Sequence, residues 1–316
     1  MKLLFNSDDT LATAELKELL GFIDADIKFA NIRSKIITAT NDVIAVVGKE
    51  MYDLAVLEYE KAPEAENKNK DLIFSMRNPI AIQAYRLFAP HNDLSHTNKG
   101  RLNRLEDKEK TAFEWMIDKD DKALEKSYYR AMDDLIMYLE SSIEAWEETE
   151  AYKKTHSLFI STANEFDDIF PIGNSRLLFL KLAPGIRRCE DNNIKARIGE
   201  ALYTSLKEDP STNKDLVKKI KEACVYSSMA WAMRRLSVQL FPEGVLQGFV
   251  SERMTINAKK APEYNEPYAV AHYFEADAKE IFKEIETIIY QLNKLPDEVI
   301  EPITFNPDSN DKFLST

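Results

Sequence analysis

The sequence predicts a mainly α-helical protein made of two tandem homologous helical repeats, each carrying a small β-hairpin or extended arm. Three observations predict it. Glycine and proline are scarce, 8 and 12 among 316 residues, too few for a loop-rich or all-β chain. Hydrophobic residues make up 44% of the chain and recur in steps of three and four over long stretches. The chain also echoes itself. "VVGKEMY" at 46–52 reads like "RIGEALY" at 197–203, with Val47 and Ile198, Gly48 and Gly199, Met51 and Leu202, and Tyr52 and Tyr203 each 151 positions apart.

The elements follow in order. "LLF" at 3–5 answers "SLF" at 157–159, and "ELKELLGFID" at 15–24 answers "EFDDIFPIGN" at 165–174, now 150 positions apart. An apolar stripe comes next in each copy. It runs through Ile32, Ile36, Ala39, Val43 and Val47, and again through Leu182, Ile186, Cys189, Asn193 or Ile194, and Ile198. Such spacing marks one face of a helix of about five turns. Gly48 and Gly199 are expected to end these helices in the left-handed conformation and to turn the chain, so that the next apolar residue and the tyrosine pack back. A glycine in mid-helix at a close approach is the alternative.

"DLIFSMR" at 71–77 answers "DLVKKIK" at 215–221, 144 positions apart, and each opens another helix. Asn78-Pro79 is expected to interrupt the first, with Pro79 restarting it. The second is expected to run on through Met229, Trp231 and Met233 to Leu240. Residues 90–102 and 242–262 lack helical periodicity. Asn98-Lys99-Gly100 is a turn signal, and Val245, Phe249, Met254 and Ile256 suit extended segments. A long helix then closes each copy, through Leu124, Tyr128, Ala131, Leu135, Leu139 and Trp146, and through Ala271, Phe274, Ala278, Phe282, Ile285, Ile289 and Leu292, with Pro296 ending it. The expected units are residues 1–154, 155–300 and an extended tail at 301–316.

The charge narrows the function classes. The chain carries 42 basic and 54 acidic side chains, a net of −12, spread as −8 over residues 1–154 and −4 over 155–316. Neither half is a basic nucleic-acid module, although an acidic surface suits a path that DNA passes without sticking. No apolar run approaches the roughly 20 residues of a membrane span. The start "MKLLFNSDDT" does not read as a signal peptide, so the chain is expected in the cytosol or in something assembled there. Cys189 and Cys224 sit in apolar helical patterns and read as a reduced, buried pair.

No catalytic, cofactor-binding or metal-binding residue is assigned, and no enzyme activity is expected. Phosphate-binding loops, G-x-G-x-x-G, H-E-x-x-H and paired C-x-x-C motifs are missing from the sequence. His91, Asp93 and His96 form the closest metal-like cluster, in an expected loop that fixes no geometry. Ser211 and Lys214 spell S-x-x-K but read as a linker with a helix cap. His156 and His272 have no evident Cys or Ser partner. Glu140, Glu144, Glu147, Glu148 and Glu150 read as a solvated face on the outer part of the first long helix. Trp115, Trp146 and Trp231 fall on apolar stripes and are assigned mainly to cores.

The opening of the chain resembles the head–tail connector, or adaptor, proteins of tailed bacteriophages. The resemblance lies in Leu16-Lys17 with Leu19-Leu20, the acids Asp24 and Asp26, the helix from Ile32 to Val47, and Gly48 before Met51-Tyr52. It extends more weakly over 165–206. The whole chain is also similar to a duplicated family encoded in Bacteroidetes genomes and their phages. The resemblance implies a structural subunit of the virion neck, assembled in the bacterial cytoplasm. Such a subunit forms a homo-oligomeric ring, binds the portal protein and tail or neck proteins, and extends a channel through which DNA passes without specific binding. Connectors are usually one unit long, whereas this chain has two. A cytosolic helical scaffold or binding protein unrelated to virions is the alternative.

Overall fold

The computed structural model describes residues 1–22, 27–61, 70–97, 100–103, 113–235, 239–241, 244–250, 257–260 and 266–293. Asp24, Asp26, Asn98, Lys99, Met254, Ile256, Pro296 and the tail at 301–316 lie outside the described residues. The protein is mainly helical. In the first half, α1 (Asp9–Leu20), α2 (Phe29–Val47), α3 (Lys49–Lys61) and α4 (Lys70–Asn92) lead to strands β1 (Leu94–Thr97) and β2 (Gly100–Asn103) and the long α5 (Glu114–Ser142). After α6 (Glu150–His156), the second half runs through α7 (Ala163–Asp167), α8 (Arg176–Cys189), a π turn (Glu190–Ile194), α9 (Lys195–Ile198) and α10 (Glu200–Glu208). Helix α11 (Lys214–Arg235), strands β3 (Gln239–Phe241), β4 (Gly244–Val250) and β5 (Asn257–Lys260), and the long α12 (Glu266–Asn293) complete it. The strands pair antiparallel, β1 with β2, β3 with β4 and β4 with β5.

Each half has its own core. The first gathers α1 to α5, with Leu16, Ile32, Ile36, Val43, Leu72, Met76, Ile80 and Leu135 sealed from solvent. The second gathers α7 to α12, with Phe166, Ile186, Ile194, Leu216, Ile220, Cys224 and Ile285 inside. The two stripe helices differ in one respect. In α2 the buried residues Ile32, Ile36, Ala39, Val43 and Val47 step by four, three, four and four. In the second half Leu182, Ile186, Cys189, Ile194 and Ile198 are buried, and the step from Cys189 to Ile194 is five. That five-residue step falls on the π turn, whose i→i+5 bonding absorbs one extra residue and keeps the apolar face toward the core. The expected single helix of about five turns is therefore two α segments joined by the π turn.

Gly48 (φ 85, ψ 157) and Gly199 (φ 80, ψ 154) separate α2 from α3 and α9 from α10. Both are helix ends and bends. Their ψ places them outside the expected left-handed helical region, in an extended positive-φ region that is essentially open to glycine alone. Their N–H groups still bond the preceding turn, at Ile44 and Lys195. Past the bend, Met51 and Tyr52 are buried, and the Tyr52 hydroxyl donates to the Lys2 carbonyl at 2.8 Å.

Four further expectations are corrected. Pro79 does not interrupt the first half's helix: α4 passes through both Pro79 and Pro90. A proline inside a helix forfeits one backbone bond, but Leu72, Met76, Ile80, Ala81 and Ala84 bury the face around it, and this packing holds the helix together. Helix α11 ends at Arg235, and Leu240 belongs to β3. Helix α5 ends at Ser142, so Trp146 reaches the first core from a 3-10 turn. The acids Glu144, Glu147, Glu148 and Glu150 consequently lie along that turn and the start of α6, and only Glu140 is on α5.

The halves meet where α5 packs on α8. Asp133 Oδ1, on α5, accepts the Leu177 backbone N–H at 2.7 Å and the Ser175 hydroxyl at 3.2 Å, so a first-half carboxylate satisfies an open donor at the start of a second-half helix. Arg176 Nε sits 2.8 Å from Glu140 Oε2, and Leu177 is buried in the first core. In addition, Arg187 donates to the Lys154 carbonyl.

Candidate interaction surface

Both long helices begin by showing large apolar side chains to solvent. At the start of α5, Phe113 is 70% exposed and Trp115 55%, and Met116 is exposed beside them; no residue of the helix before Leu124 is buried. At the start of α12, Tyr273 is 72% exposed, and Tyr268 and Val270 flank it. The assignment of Trp115 to a core is therefore corrected. Trp115 precedes Leu124 by nine residues, about half a turn around the helix, so it faces away from the side that Leu124 and Tyr128 bury. Trp146 is buried and Trp231 half-buried. Large apolar side chains grouped in water mark contact surfaces. In chain order β1 and β2 precede α5, and β3 to β5 precede α12.

The expected cluster at 91–96 is divided among elements. His91 is in the last turn of α4, Asp93 follows it and His96 belongs to β1. Among the described residues no group of three His, Cys, Asp or Glu side chains is placed to hold a metal. Asp93 instead adjoins acids on α5. Burial, then Asp120, Asp93 and Asp118, push the Asp121 carboxyl up, and burial does the same at Asp93. Ser211 donates its hydroxyl to Asp209 at 2.6 Å, within a 3-10 turn (Pro210–Asn213) that leads into α11. His156 stacks on Tyr152 at 3.4 Å between ring centroids, and His272 is exposed. Cys189 and Cys224 are free and buried; the neighbouring Cys189 and burial push the Cys224 thiol well up, away from the reactive thiolate.

The sequence reading missed a buried polar cluster behind the second glycine. Glu190 opens the π turn and is 1% exposed. Its Oε1 accepts the Phe159 N–H at 2.5 Å, and its Oε2 accepts the Tyr203 hydroxyl at 2.6 Å and lies 3.1 Å from Lys207 Nζ. Lys207 also donates to the Ser157 carbonyl at 2.8 Å and lies 3.9 Å above the Phe159 ring. Burial, then the bond to Glu190, push the Tyr203 phenol far above its ordinary range; burial pushes Lys207 down, against the pull of Glu190. A fully partnered cluster of this kind holds segments together and offers no open position for a substrate. Here it ties the chain at 157–159 to the π turn and α10. The one signal available beforehand was the ambiguous register at Asn193 or Ile194.

A second pairing recurs in both halves. Glu15 accepts the Asn6 N–H at 2.8 Å and lies 3.0 Å from Arg77 Nη2, joining α1 to α4. Glu165 accepts the Ser161 N–H at 2.9 Å and lies 2.6 Å from Lys221 Nζ, joining α7 to α11. A groove of about 1090 Å³ opens beside the latter pair. Among the described residues Lys214, Lys218 and Lys221 line it against six acids, Asp168, Glu222 and Asp277 among them, so the groove carries net negative charge. Among the described residues no helix is long and apolar enough to cross a membrane.

Residues 44–156 match a family of unknown function (DUF6712), a stretch that runs from the end of α2 to the last residue of α6. No curated protein and no solved structure matches the chain.

Proposed function

We propose that this chain is a structural subunit of a tailed-bacteriophage neck, a head–tail connector that forms a ring, joins the portal to tail proteins and extends the DNA channel. The observation that carries the reading is the display of large apolar side chains at the same place in both halves. Phe113, Trp115 and Met116 stand at the start of α5, and Tyr268, Val270 and Tyr273 at the start of α12, and antiparallel strands precede each helix in chain order. Surfaces of that kind serve assembly.

The reading takes the chain as two tandem homologous repeats, each with its hairpin. Several features support this. Gly48 and Gly199 share one unusual backbone conformation. The Glu15–Arg77 and Glu165–Lys221 pairs join corresponding elements. The change of offset from 150 to 151 along the stripe coincides with the π turn. The family match ends at His156, next to the boundary between the repeats. The connector-like stretch at 15–54 includes the second half of α1, all of α2, the Gly48 bend and the start of α3. Repeats fused in one chain present two related but unequal contact faces, which suits a subunit that meets different partners above and below.

Electron microscopy of the purified chain mixed with the portal protein of the same phage tests the proposal. A ring of this chain seated on the portal is the expected image. A chain that ignores the portal and co-purifies with a cytosolic host protein would favour the scaffold alternative and overturn the neck reading.

A further inference from the structure

A cavity of about 360 Å³ lies among α8, α9, α11 and α12. Five cations line it: Arg188, Arg197, Arg234, Arg235 and Lys279. They gather on a chain whose net charge is −12. One acid, Glu275, lines the cavity with them and lies 2.6 Å from Arg234 Nη2. A second, Glu286, reaches Arg197 Nε at 3.0 Å. Among the described residues, two carboxylates against five cations leave a clear excess of positive charge.

The cations are held in place. The Arg197 guanidinium stacks on Phe282, 4.2 Å from the ring centroid, and donates through Nη1 to the Asn193 carbonyl at 2.9 Å. Arg235 lies 5.4 Å from the Trp231 ring and donates to the Trp231 carbonyl at 3.2 Å. Stacking fixes a guanidinium plane and leaves its N–H edge free for an oxyanion. Arg234 Nε is buried and has no hydrogen-bond partner among the described residues, a condition that costs free energy until an acceptor arrives. Arg188 and Lys279 make no ion pair or hydrogen bond with any described residue.

The geometry points to a binding site for a compact dianionic oxyanion of the phosphate type, either the free ion or the terminal phosphate of a monoester. Guanidinium forks match phosphate oxygens in pairs. The volume is that of a small-ligand pocket rather than of a track for a polymer, and the excess charge suits two negative charges concentrated on one group. The site stands whether or not the chain belongs to a virion.

Isothermal titration of the full chain with inorganic phosphate and with glycerol phosphate, against sodium chloride at matched ionic strength, tests it. Saturable binding of phosphate at one site is expected, weakening as salt rises. In the double variant Arg188→Ser, Lys279→Ser the dissociation constant is expected to rise about tenfold or more. Both side chains are exposed and make no pair among the described residues, so circular dichroism and the urea midpoint should not move. Equal binding of glycerol phosphate assigns the site to a monoester; binding of inorganic phosphate alone assigns it to the free ion. No saturable binding of either, or binding that the double variant leaves unchanged, overturns the proposal. A rise in the melting temperature of the unaltered chain with added phosphate is the second readout expected, and its absence counts against the site.

Discussion

At the scale of single residues, the buried carboxylate of Glu190 sets the strongest dependence. Replacing Lys207 by Met removes its counter-charge while leaving the acid enclosed, which is expected to cost about 3 kcal/mol in urea unfolding. Tyr203→Phe removes one neutral donor from the same oxygen and is expected to cost about 1–2 kcal/mol. Glu165 gives the pH dependence. Burial alone would raise its carboxyl, but the Lys221 ammonium and the Ser161 N–H outweigh burial and hold it below the usual glutamate value. A depressed folded value adds stability that is present above the unfolded value, near 4.3, and lost as pH falls through the folded one. The urea midpoints of the parent and of Glu165→Gln should therefore differ at pH 7 and converge below about pH 4. None of these partners was legible in the sequence, because Glu190 and Glu165 look like any surface acid on a helix until the neighbouring elements close over them.

At the scale of elements, the apolar stripes were legible and their interruptions were not. Steps of three and four located both stripe helices, and Gly48 and Gly199 located their ends. The fifth residue between Cys189 and Ile194 looked like an uncertain register because a helical template has no place for it. Since the π turn absorbs that residue, deleting Asn192 is expected to leave a folded, strongly helical protein by circular dichroism. Deleting Asn41 from uninterrupted α2 rotates Val43 and Val47 by about 100° away from the core and is expected to abolish cooperative unfolding. The bends make a matched pair. An added Cβ at Gly199 meets nothing within 4 Å, and at Gly48 only the flexible end of Glu50. Alanine at either site therefore costs backbone strain alone, about 1–3 kcal/mol, and the two losses in urea denaturation should agree. Pro79 misled for the opposite reason, since the packing around α4 decides its continuity and is not written in the local sequence.

At the scale of the whole molecule, periodicity showed which residues share a face but not where the neighbouring helices stop. Trp115, about half a turn around α5 from Leu124, was assigned to an apolar stripe and the interior, and lies in solvent. If the exposed starts of α5 and α12 are contact faces, Trp115→Ser with Tyr273→Ser should leave the urea midpoint within about 0.5 kcal/mol of the parent and eliminate rings on the portal in electron micrographs. The junction between the halves bears on how the protein can be divided. Ser157 and Phe159 lie on the connecting segment, yet their backbone groups serve Lys207 and Glu190. A scissile site placed just after Ile160 would strip the downstream fragment of those backbone partners and strand an ammonium and a carboxylate in its interior. The same cleavage would deprive the upstream fragment of Leu177, leaving a hollow in its core, and would uncouple Asp133 from the helix that it caps. Split versions for reassembly or labelling therefore belong upstream of Ser157, with both pieces kept together in solution.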